Sequence, residues 1–142
     1  MRQGVEHAKG DALREKKVVL TNSIAFLLGV TTLPFIGVFY LLGGKEYGYL
    51  TLLINLIFFS SIFLNKLGKI DLSRHTLLFT WGGGVFVYAL LLGDDTSLQN
   101  CFFSLMAVPF IMYSPSEFKS KSFYVILGCV SYVILEFKLI NV

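Results

Sequence analysis

The sequence predicts an all-α fold, a polytopic transmembrane helical bundle of five spans. Three observations carry that expectation. Of the 142 residues, 55% are hydrophobic and only 15% are charged, and the mean hydropathy is +0.71. A soluble domain carries about 25% charged residues. Such a chain is too apolar for disorder and too poor in polar residues to cover the surface of a soluble globule. The apolar residues also fall into blocks, each near the ~20 residues that cross ~30 Å of hydrocarbon. Finally, the links between blocks are short, so consecutive spans form antiparallel hairpins. A closed β-barrel would need alternation of polar and apolar residues, and the run IAFLLGV at 24–30 does not alternate.

The expected spans cover 18–42, 47–64, 75–92, 98–113 and 123–139, preceded by a basic cytoplasmic juxtamembrane segment at 1–17; residues 18–142 form the transmembrane helical domain. The first block follows a basic amino terminus, as in a signal peptide. It runs for about 25 residues against 7–15 for a signal core, and no small-residue cleavage site follows.

Charge sets the expected orientation, because Lys and Arg gather in cytoplasmic loops. The amino-terminal segment holds Arg2, Lys9, Arg14, Lys16 and Lys17, the second link Lys66, Lys69 and Arg74, and the fourth Lys119 and Lys121. That places ten of the twelve basic residues on one side, with Lys45 and Lys138 on the other. The amino terminus is therefore expected in the cytoplasm and the carboxyl terminus outside. The basic face would attract anionic lipid head groups.

Within the spans, Pro34 and Pro109 predict kinks, since proline removes a backbone donor and clashes with the preceding turn. Gly82, Gly83 and Gly84 let a neighbouring helix approach closely. Asn55, at mid-span, needs a hydrogen-bond partner, either on another helix or on a ligand. At the outer ends, Glu46, Asp94, Asp95, Asn100 and Glu136 form a candidate polar cluster that could attract cations, although Asp94 and Asp95 could instead serve the positive end of the fourth helix. Lys138 could neutralise Glu136.

No metal-ligand spacing includes Cys101 or Cys129, and their expected depths differ by roughly 15 Å at helical rise, too far for a disulfide. No HExxH, CxxC, GxSxG or phosphate-loop pattern occurs. No catalytic residue, cofactor or metal is expected, and no base-reading element points to nucleic acid.

Residues 63–78, FLNKLGKIDLSRHTLL, join a helix end, a short basic glycine-containing loop and the next helix. Residues 92–115, LGDDTSLQNCFFSLMAVPFIMYSP, join an outer turn, a Phe-rich helix with Val-Pro-Phe and a Ser-Pro exit. This order resembles the multi-helix (six-span) membrane input regions of bacterial sensor histidine kinases and nucleotide cyclases, here without an output domain within the 142 residues. The resemblance implies a bacterial inner (cell) membrane, sensing outside or within it and a homodimer, and it supplies no catalytic residue. The expected function is a sensory or regulatory module, not itself an enzyme, that signals through a separate cytoplasmic partner. A small transporter or channel-related protein using Glu136, Asn55 and the outer carboxylates along a path is the alternative.

Overall fold

In the computed structural model, which describes residues 12–93 and 98–137, five α-helices follow one another: α1 (Ala12–Leu41), α2 (Lys45–Lys66), α3 (Ile70–Leu92), α4 (Cys101–Met112) and α5 (Phe118–Glu136). No strand occurs among the described residues. The chain is an all-α membrane protein: four of its helical segments, Ala12–Leu41, Lys45–Lys66, Ile70–Leu92 and Pro115–Glu136, are long and apolar enough to cross a bilayer.

The observed helices depart from the expected spans at their ends. The first begins at Ala12, inside the stretch expected to be a juxtamembrane segment, so Arg14, Lys16 and Lys17 lie in its first turns. The link expected at 65–74 shrinks to three residues between α2 and α3. The cause is local chemistry. Gly68 has φ +78°, a conformation that only glycine adopts without cost. Lys69 N then donates to Leu64 O at 3.0 Å, closing the two-residue reversal typical of a glycine-ended helix. Gly43, at φ +82°, ends α1 in the same way, with Gly44 N donating to Phe39 O at 2.9 Å. Arg74, expected in the loop, is consequently a helical residue of α3.

The fourth span differs most. Its α-helix has 12 residues, preceded by a 3₁₀ turn at Leu98–Asn100. Twelve residues rise only about 18 Å, and the 3₁₀ turn adds roughly 6 Å. At its other end, Tyr113 and Ser114 are extended, as the residue before a proline prefers. Pro115 then opens a 3₁₀ turn whose Glu117 carboxylate accepts hydrogen bonds from Ser114 N at 2.7 Å and Ser114 Oγ at 2.9 Å.

The chain divides into two compact units, Met1–Thr80 and Trp81–Val142, with the division inside α3. In the first unit, α1 and α2 pack as an antiparallel hairpin. Its contacts run from Phe39–Tyr47 and Tyr40–Tyr49 ring pairs at the turn to an Asn22–Asn65 hydrogen bond at the far end. In the second, α4 and α5 pair antiparallel through the rings of Phe103 and Tyr132 and of Tyr113 and Tyr124. Many large apolar side chains remain exposed, among them Leu27, Leu41, Leu56, Phe110 and Ile126. In a bilayer these are the lipid-facing positions.

Candidate functional site: a buried polar seam in the first unit

The buried positions of α1 are Val18, Thr21, Asn22, Ala25 and Gly29, and those of α2 are Gly48, Thr51, Asn55, Phe58, Ser61 and Asn65. Steps of three and four dominate both sets, the spacing that keeps one stripe of a helix against a partner. The residue types are the unusual feature. Six of these eleven positions are Thr, Asn or Ser. Lipid tails are as apolar as Leu, so apolar surface gives membrane helices no reason to prefer one another over lipid. Small residues and interhelical hydrogen bonds supply the preference instead.

Three sets of bonds run along the seam. Nearest the α2–α3 turn, Asn65 Nδ2 donates to Asn22 Oδ1 at 2.7 Å, and both side chains are wholly buried. The second oxygen-bearing group of the pair, Asn65 Oδ1, is buried with no hydrogen-bond partner among the described residues. Ser61 and Ser73 then tie α2 to α3 reciprocally: Ser61 Oγ donates to Ser73 O at 3.0 Å and Ser73 Oγ donates to Ser61 O at 2.7 Å. Farther along, Asn55 Nδ2 reaches both the Gly29 carbonyl and Thr32 Oγ1, each at 2.7 Å. The ring of Phe59 lies over Gly29, where a Cβ would sit 2.8 Å from Phe59 Cζ. Glycine at this position is what lets α2 come close enough for the Asn55 amide to reach a main-chain carbonyl of α1.

Arg74 adds a charge to the same unit. It is 2% exposed and pairs with the carboxylate of Asp71, which is 77% exposed. Asp71 lies in the first turn of α3, where an anion also meets the positive helix end. A buried charge requires such pairing, since its desolvation costs several kcal/mol.

The residues of the expected outer polar cluster lie elsewhere. Glu46 is exposed in the first turn of α2, within the first unit. Asn100 ends the 3₁₀ turn and Glu136 ends α5, both exposed and both in the second unit. Asp94, Asp95 and Lys138 lie outside the described residues. Among the described residues, no three of His, Cys, Asp and Glu are placed to hold a metal ion. Both cysteines are free thiols, and Cys129 Sγ lies 3.2 Å from Met106 Sδ.

The kink and close-packing candidates separate too. Pro34 lies on an exposed face of α1, five residues after Gly29, whereas Pro109 is buried in α4. Gly82 is buried, and a Cβ there would stand 2.9 Å from Leu105 Cδ2 of α4. Gly83 faces open space and Gly84 is half-buried. Of the triplet, Gly82 therefore admits the neighbouring helix.

Asn22, Thr32, Ser61, Asn65, Ser73 and Arg74 were not singled out by composition or motif. The signal that reveals the four that lie in the α1 and α2 helices and in the seam itself is their shared spacing with glycine and alanine. It becomes readable once α1 and α2 are set antiparallel about Gly43 and Gly44. No protein-family model, curated protein or solved structure matches the chain.

Proposed function

We propose that the chain is a sensory or regulatory membrane module whose state is the packing of its helices, and which acts on a separate cytoplasmic partner rather than by catalysis. The observation that carries this is the buried polar seam. Interhelical hydrogen bonds are directional contacts of modest strength, about 0.6 kcal/mol on average. An arrangement held by a few of them can exchange for another at small cost, as a switch requires. The division of the chain into two units inside α3 supplies a place where such an exchange could be transmitted. Its resemblance to the input regions of sensor kinases and cyclases agrees with this role.

In this proposal the amino terminus is cytoplasmic and the membrane is the bacterial inner membrane. The support is the distribution of charge: Arg14, Lys16, Lys17, Lys66, Lys69, Lys119 and Lys121 all sit at helix ends that alternate along the chain. That alternation requires α4 to cross. With its 3₁₀ turn it provides about 24 Å of rise, a few ångströms below the usual hydrocarbon thickness. Local bilayer thinning accommodates such a deficit at a fraction of a kcal/mol per Å.

Reconstitution tests the role against transport. In sealed liposomes the protein should pass no ions above the background of empty liposomes at any imposed potential. A flux that Glu136→Gln abolishes would establish the transporter alternative instead.

A further inference from the structure

The stretch from Gly29 to Pro34 concentrates three local features that weaken a helix: a glycine, two threonines and a proline. Gly29 lacks a side chain and lowers helix propensity. Thr31 Oγ1 donates back to Leu27 O at 2.8 Å, and Thr32 Oγ1 donates to Leu28 O at 2.8 Å. Such back-bonding competes with the helix ladder and bends helices. Pro34 has no N–H, so the carbonyl of Val30 loses its ladder donor. The six residues lie in the interior of a 30-residue helix. From α2, the Asn55 side chain grips the stretch at two points, Gly29 O and Thr32 Oγ1.

We propose that residues 29–34 of α1 are a hinge and that the Asn55 amide is its latch. This deepens the module described above by naming the element that moves, and it rests on that proposal. The two arms of α1 are anchored separately. The arm before the hinge is fixed by Asn22 on Asn65 and by Val18 packed with Ile70 of α3. The arm after it is held by aromatic contacts next to the turn, Phe39 on Tyr47 and Tyr40 on Tyr49, and by Tyr40 against Gly48. With Asn55 engaged, the weak stretch is clamped to α2 and α1 stays one continuous helix. With Asn55 released, Gly29 O and Thr32 Oγ1 lose their interhelical donor. The arm after Pro34 then swings about a segment whose own ladder is already incomplete.

Spin labels at Lys16 and Leu41, both exposed and on opposite sides of the hinge, read this motion in the full chain in bilayer nanodiscs, with Cys101 and Cys129 replaced by serine. Twenty-five residues of continuous helix separate the two sites by about 38 Å. The protein should give a dominant narrow distance population near that value and a minor shorter one. Asn55→Leu, which keeps the branched shape and removes the amide, should enlarge the shorter population, and Pro34→Ala in the same background should shrink it again. An Asn55→Leu distribution that superimposes on the unmodified one overturns the latch. Should Asn55→Leu fail to fold, Thr32→Val serves in its place. A broadened distribution then supports the latch and a superimposed one overturns it. Because both labels sit on α1, an unchanged distribution here leaves the module proposal standing if labels on the two units still report two states.

Discussion

The buried asparagines separate structural from dispensable polar residues in this protein. Asn22 and Asn65 have no access to solvent or lipid and bond each other at 2.7 Å. In a double-mutant cycle with Asn22→Leu and Asn65→Leu, their coupling should be about 0.6 kcal/mol and at most about 1.7 kcal/mol, read from unfolding in mixed detergent. A coupling near zero would mean that the pair packs without contributing as a bond. Glycines give a sharper contrast. A Cβ at Gly29 meets the aromatic ring of Phe59, while one at Gly37 of the same helix meets nothing within 4 Å. Gly37→Ala should therefore be tolerated, and Gly29→Leu should separate α1 from α2, seen as loss of disulfide cross-linking between cysteines placed at positions 22 and 65. Much of this was hidden from the sequence for a physical reason. Asn55 stands out because it is an amide surrounded by apolar neighbours. Asn65 sits beside Lys66 and looks like a loop residue until the glycine turn at Gly68 is seen to continue the helix up to it.

At the scale of elements, hydropathy reveals where helices cross but not where they end. The blocks at 18–42, 47–64 and 75–92 correspond to α1, α2 and α3, yet each helix extends beyond its block into charged residues. Hydropathy falls where charges begin, while the backbone ladder continues until a glycine or proline stops it. Gly43, Gly68 and Gly93, all at positive φ, mark those true ends. The fourth block shows the opposite case. Its 16 positions at 98–113 contain only a 12-residue α-helix, because the 3₁₀ turn and the extended Tyr113 consume the rest. Whether so short an element crosses the membrane is decided by the side on which Ser116 emerges. With the native cysteines replaced, Ser116→Cys should react with an impermeant maleimide from the cytoplasmic side alone, together with a cysteine at Lys69. Labelling of position 116 from outside would mean that α4 turns back within the bilayer. A reporter fused after Val142 should correspondingly be active only outside.

For the whole molecule, composition already specified a membrane protein, because it sums over many residues, and the proposed orientation rests on the distribution of charge. The candidate site was legible only in part. The outer carboxylates attracted notice as ionisable groups near span ends, but Glu46 belongs to one unit and Glu136 to the other, and no metal-holding group forms among the described residues. The polar seam depends on pairing helices that are distant in sequence, which no local pattern states. In the function proposed above, the protein works by exchanging helix-packing states. Spin labels at Lys69 in the first unit and Lys119 in the second test this most directly, in bilayers of native lipid composition. Two distance populations are predicted, with Asn55→Leu shifting their ratio. One narrow population, unchanged by Asn55→Leu and accompanied by a Glu136-dependent ion flux, would contradict the account.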